Sequence, residues 1–324
     1  MKTKTLLIII SVILLISSCR NKGNNPKNFL LPDKVKATYI VDINNEPKTE
    51  WINSVKQSNF LLSLVNNAID GKTVFDYEDC KDTLCKDDIL SNLGQINANI
   101  SYVDSLGNEI DTFINKKADF NSLEGFYFIE NWFFDAQNLH FDKQIITYAP
   151  YRSYFKTNKD TIKTKKIIFF IKQNNKTQGE FEKIAENVKS AFIYNATEPN
   201  SISGLDIDKF NNFIVKYALN PENKVYNFNN LNEPLAIDDF KEHLGIETEY
   251  IISEDGTDTL KYVSDADADR ITGVIFIEDW LFNKNTLELK KQVKAIAPVC
   301  EYYTSFGNSE AIKRIVIPFA LKTN

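Results

Sequence analysis

A chain of 324 residues with 44 Asp and Glu against 38 Lys and Arg has a net charge of −6, which argues against nucleic acid as a partner. Two histidines, His140 and His243, leave few players for acid–base or metal chemistry. The length suits two domains of ordinary size, and an aromatic content of 12% is ample for two cores.

Residues 1–18 read as a targeting segment. Lys2 and Lys4 precede an apolar run from Leu6 to Ile16, too short to stay in a bilayer as a spanning helix. Ile16-Ser17-Ser18-Cys19 sets a small-residue cleavage site directly before a cysteine and resembles the lipobox of bacterial lipoproteins. The resemblance implies cleavage before Cys19 and three acyl chains there. At about 0.8 kcal/mol per buried methylene these anchor firmly. The competing reading, an ordinary signal peptide, would have to place a cysteine first in the mature chain by accident. Residues 19–33 form a polar tether without the acidic cluster that resembles a surface-export signal of Bacteroidetes lipoproteins. Lipidated Cys19 is thus expected to hold the protein on the periplasmic face of the outer membrane.

The mature chain then runs through one order of elements twice. Lys36–Val41 reads as a strand, Asn59–Ile69 as a helix stopped at Gly71, and Asp88–Gly94 as a short helix. Tyr102 opens a strand before the turn Leu106-Gly107-Asn108, residues 125–155 form a long hairpin, and Lys165–Ile171 a closing strand. After a linker at 174–186 the counterparts are Lys189–Tyr194, Asn212–Leu219, Asp239–Gly245, Tyr250, residues 273–303 and Lys313–Phe319. The expected fold is α+β: two similar tandem domains, 34–173 and 187–324, each a mostly antiparallel sheet with one or two helices on a face.

The hairpins carry the strongest repeat. Residues 125–155 and 273–303 align without a gap and share 12 of 31 positions. A two-residue turn at Ala136-Gln137 would pair Phe134 with Leu139, Trp132 with Phe141, Glu130 with Lys143 and Phe128 with Ile145. The same register in the second copy pairs Glu278 with Lys291 and Trp280 with Leu289. Glu130 and Glu278 on an apolar face admit two readings. One is a catalytic or ligand-binding carboxylate. The other is a structural cross-strand ion pair, favoured because structural pairs outnumber catalytic ones.

Other chemistry is sparse. Cys80 and Cys85 suit a small-loop disulfide in an oxidising compartment, with free thiols or a poorly spaced metal site as alternatives. Cys300 has no evident partner. Asp265-Ala266-Asp267-Ala268-Asp269 lacks the glycine and glutamate of a calcium loop and reads as a solvated acidic loop. No nucleophile elbow, phosphate loop, zinc-protease helix or dinucleotide fingerprint occurs, so neither an enzyme nor a metal or small-molecule cofactor is expected. Thr83, Ser105, Thr161 and Thr259 each follow an aspartate and precede an aliphatic residue, a tripeptide that resembles Bacteroidetes O-glycosylation sites.

Trp132-Phe133-Phe134-Asp135 followed by Gln144-Ile145-Ile146-Thr147-Tyr148-Ala149-Pro150 resembles the gliding-motility and type IX secretion family GldN/PorN. Trp280-Leu281-Phe282-Asn283 and the strand ending at Ala297-Pro298 repeat the signature. Gln144 and Gln292 stand where the family has Arg, and Asn283 replaces its Asp. Two copies on one lipid anchor also depart from the family's single copy with an ordinary signal peptide. The resemblance implies a non-enzymatic, structural or assembly role with an envelope protein partner. The alternative is a lipid-anchored glycan- or peptide-binding protein or hydrolase, using aromatics such as Trp51 or Tyr151 in an open cleft.

Overall fold

Val35, Ala37, Tyr39 and Val41 are buried while their neighbours are not, and this alternation makes Val35–Asp42 the first strand, β1. The computed structural model describes residues 35–42, 58–157, 159–174, 179–194, 201–246, 248–252, 259–263, 265–306, 309–317 and 319–323. The expected lipidation site Cys19, its tether and Trp51 lie outside them.

Helix α1 (Ser58–Ile69) buries Phe60, Leu61, Leu64, Val65 and Ala68, one stripe of a 3.6-residue period, and stops at Gly71 with φ +105. The short α2 (Lys86–Asn92) starts where the Cys85 N–H donates to the Asp88 carboxylate, 2.9 Å. Strands β2 (Ile96–Val103) and β3 (Glu109–Lys116) form a separate hairpin, with Tyr102 near the end of β2 and not at its opening. The long hairpin is β4 (Leu123–Asp135) and β5 (His140–Tyr154). The single strand expected at 165–171 is two, β6 (Thr164–Ile167) and β7 (Ile171–Lys172), because Phe170 leaves the ladder to bond Phe75 in both directions. At this break the Ile168 N–H donates to Pro150 O, 2.9 Å. Proline, with no N–H, suits a place where the neighbouring strand bulges away.

The second half repeats the order. Strand β8 (Glu182–Ile193) starts inside the expected linker, and β9 (Ser201–Ser203) follows it. Helix α3 (Ile207–Leu219) is capped by Asp206, which accepts from Lys209 N, and buries Phe210, Asn211, Ile214, Val215 and Ala218 with the spacing of α1. Strands β10 (Val225–Asn227) and β11 (Asn230–Leu235) pair next, and two 3-10 turns, Ile237–Asp239 and Lys241–Leu244, stand where α2 stood. Then come the hairpins β12 (Thr248–Ile252) with β13 (Thr259–Val263) and β14 (Ile271–Asn283) with β15 (Glu288–Phe306), and last β16 (Ser309–Val316) and β17 (Phe319–Lys322). Ile317 N donates to Pro298 O, 3.0 Å, the counterpart of the Ile168–Pro150 bond.

From the turn to the bulge the hairpin register differs from the expected one by two residues, and beyond the bulge Phe128 pairs with Tyr148, three residues from the expected Ile145. Phe134 pairs with Phe141, Trp132 with Lys143 and Glu130 with Ile145; in the second hairpin Trp280 pairs with Lys291 and Glu278 with Val293. The turn has four residues because Asp135 closes it, accepting from the N–H groups of Gln137 and Asn138. Asn283 does the same for Asn285 and Thr286, and Leu139 and Leu287 take left-handed φ of 47 and 58. A shift of two keeps Glu130, Trp132 and Phe134 on the face shared with Ile145, Lys143 and Phe141.

Gly125 and Gly273 mark where β1 and β8 press closest. A Cβ there would lie 2.2 Å from Val41 O and 2.5 Å from Phe192 O. Pairing through these strands aligns Tyr39 with Ser190, both opposite the matched Phe128 and Phe276. The sequence match of Lys36–Val41 with Lys189–Tyr194 is two residues out.

The halves do not close into separate cores. Among the described residues thirteen strands join one sheet, and β5 meets β15 through Lys143·Lys291 and Asp142·Gln292. Each lysine thus lies opposite its own counterpart, as at a two-fold axis. Trp132 meets Phe276 (ring centres 4.9 Å apart) and Phe128 meets Trp280 (5.5 Å), so rings of the two hairpins interlock in one core that takes in α1 and α3. No helix among the described residues is long and apolar enough to cross a membrane.

Candidate functional site

The residues singled out by the repeat converge at the middle of that core. Glu130 and Trp132 come from β4, Lys143 from β5, Glu278 and Trp280 from β14, and Lys291 from β15. A β-bulge sits beside each glutamate, between Ile129 and Glu130 and between Ile277 and Glu278. The shortest ion pairs run between the halves; of the expected within-hairpin pairs, Glu278–Lys291 persists as a longer contact of 3.8 Å, and Glu130–Lys143 is not formed. Lys143 Nζ lies 3.0 Å from Glu278 Oε2, and Lys291 Nζ lies 2.8 Å from Glu130 Oε1. The register explains the exchange: each lysine faces its own hairpin's tryptophan in the ladder, and its ammonium crosses to the opposite carboxylate.

Further contacts are reciprocal too. The Lys143 ammonium stands 3.4 Å from the Phe276 ring centre and Lys291 3.1 Å from that of Phe128. Trp132 Nε1 donates to Glu130 Oε2 (2.8 Å) and Trp280 Nε1 to Glu278 Oε1 (3.0 Å). Tyr39 and Ser190, at equivalent positions, each give a hydroxyl to the carboxylate of their own half, at 2.8 Å in both cases. Tyr39 also reaches the centre, where its oxygen accepts from Lys143 (3.1 Å) and Lys291 (2.9 Å). Two positive and two negative charges are thereby matched with no net charge left in the apolar core.

The lysines set the electrostatics. Their ammonium groups hold Glu130 below the ordinary carboxylate range despite its burial, Lys291 acting most strongly and Lys143 next. Burial pulls Lys143 down to about 8 against the opposing pull of Glu278 and Glu130. Burial and the two carboxylates push Tyr39 well above its usual value. All four charged side chains are 0% exposed. A carboxylate sealed on every side meets no substrate, so the arrangement works as a clamp between hairpins.

The remaining sequence candidates lie apart. Cys80 and Cys85 are free thiols, Cys80 buried with its Sγ toward Glu78 O and Cys85 exposed ahead of α2, so the expected disulfide is not formed. Cys300 is a buried thiol of the core. Asp267 caps a 3-10 turn by accepting from Asp269 N and pairs with Arg270, as Asp119 caps the matching turn by accepting from Asn121 N. Among the described residues no three His, Cys, Asp or Glu converge as a metal site. Thr83, Ser105 and Thr161 are exposed, and Thr259 opens β13. Tyr151 is buried, its hydroxyl on Asp42. Tyr39 and Ser190 escaped the sequence reading. Their signal is a hydroxyl at matched positions, visible once the strands are aligned through Gly125 and Gly273.

Residues 184–320 match the family model described as gliding motility associated protein GldN. No curated protein matches. The matched segment runs from within β8 to within β17 and includes Glu278, Trp280, Lys291 and Pro298. This part of the chain is similar to GldN.

Proposed function

We propose that this chain is an assembly lipoprotein of a gliding-motility or type IX secretion complex, held by lipidated Cys19 on the periplasmic face of the outer membrane. The observation that carries the reading is the GldN match across 184–320, whose central hairpin is the very element duplicated at 125–155. On this reading the first half is a second GldN-like copy, and the chain is a pseudo-dimer fused at the Lys143·Lys291 junction. A rigid, closed core suits a part that presents surfaces to an envelope partner and carries out no reaction. The exposed Thr83, Ser105 and Thr161 leave three sites open to O-glycosylation. The ligand-binding alternative has less support, because the rings that a cleft between the halves would use fill the core.

Deletion of the gene in its host tests the proposal. Loss of gliding or of type IX secretion, restored by the native gene and not by a Cys19→Ala variant, is the expected result. Unchanged gliding and secretion in the deletion strain would sink it.

A further inference from the structure

Beside the β10–β11 hairpin, residues of β8, β14, β15 and the start of β5 line a solvent-open groove of about 1020 Å³. Asn187, Lys189, Phe228, Asn229, Lys294 and Lys322 contribute to its walls. Lys189 is 9% exposed, yet no carboxylate of the described residues pairs with it. Its ammonium donates to Asn229 Oδ1 at 3.1 Å and stands 4.0 Å from the Phe228 ring centre. Burial alone lowers its affinity for a proton.

The neighbouring charges do not balance it. Lys294 shares the Asp279 carboxylate with Lys183, and Lys322 lies over the Tyr226 ring. Asp142 of β5 is the one acidic side chain among the residues lining the groove, and it forms no ion pair with Lys189. The register places Thr38 at the position matching Lys189, so the fold itself does not demand an ammonium here. A buried cation kept without a counter-ion in an acidic chain is a binding group waiting for an anion.

We propose that this groove binds a hydroxyl-bearing phosphate ligand, its phosphate seated beside Lys189 with Lys294 and Lys322 on the flanks. The amides of Asn187 and Asn229 offer bonds to the hydroxyls. The ligand could be a free sugar phosphate or a lipid headgroup of the same chemistry.

Calorimetry and thermal melting of the full chain with glucose 6-phosphate, against glucose, test the site, and flotation with phosphatidylglycerol or phosphatidylcholine vesicles tests the source. Glucose 6-phosphate should bind and raise Tm where glucose does not. Lys189→Met should weaken binding at least tenfold while melting no lower than wild type when empty, and Lys322→Gln should weaken it less. Flotation with phosphatidylglycerol alone, lost in Lys189→Met, would make the headgroup the source. Equal effects of glucose and its phosphate, or unchanged phosphate binding in Lys189→Met, would overturn the proposal.

Discussion

The exchange of ion pairs can be measured by a double-mutant cycle. Lys291→Met removes the ammonium 2.8 Å from Glu130 and leaves that carboxylate on the Trp132 and Tyr39 donors alone. Removing one partner of a buried pair costs about 3–5 kcal/mol. At about 2–4 °C per kcal/mol for a chain of this size, that is a fall in Tm of roughly 6–20 °C. Glu130→Gln should destabilise too, by less, since Lys291 keeps the Glu278 carboxylate at 3.8 Å and the Tyr39 oxygen at 2.9 Å. Urea denaturation of both singles and the double gives the coupling, expected at about 0.5–3 kcal/mol for groups in contact. The same cycle on Glu130 and Lys143, which share a hairpin but form no ion pair, should give a smaller value. A Glu130–Lys143 coupling equal to or above that of Glu130–Lys291 would refute the exchange and restore pairing within each hairpin.

Other outcomes follow from the same geometry. Below the ordinary glutamate range the unfolded chain takes up a proton that folded Glu130 refuses. Stability should therefore drop as pH falls through that window, and Glu130→Gln should flatten the drop in Tm against pH. Between about 8 and 10.5 the unfolded chain holds the Lys143 proton that the folded chain has lost. This group's contribution therefore rises with pH there, and Lys143→Met should abolish the rise. Gly125→Ala sets a Cβ 2.2 Å from Val41 O and should cost about 1–3 kcal/mol in urea unfolding; an unchanged midpoint would contradict the register of β1. In a Cys19→Ser protein, a thiol reagent should label exposed Cys85 quickly and buried Cys80 and Cys300 only on unfolding, whereas a Cys80–Cys85 disulfide would leave Cys85 unlabelled.

Much of this arrangement is legible in the sequence. Alternation in Phe126–Phe134 and the repeat at 273–303 located the hairpins, and an apolar stripe located α1. The register is not legible there, because period-2 alternation looks the same after a shift of two and only the closing role of Asp135 and Asn283 separates the choices. That Glu130 is paired with a lysine is readable from its apolar face; which lysine is not, since Lys143 and Lys291 hold the same place in the repeat and the crossing depends on β5 meeting β15. The merging of two expected domains into one core is likewise a property of how hairpins stack, on which the sequence of either hairpin alone is silent.

Affinity purification of the lipidated protein from native outer membranes, with mass spectrometry of its companions, tests the assembly role most directly. Recovery of gliding-motility or type IX secretion components is the predicted result, with loss of that recovery when the junction of the halves is loosened by Lys291→Met and by Lys72→Ala, which removes the Lys72 Nζ donation to Asn285 O (2.7 Å). A protein recovered alone, or with nutrient-uptake components and none of the secretion machinery, would contradict it and leave the GldN match as a likeness of fold.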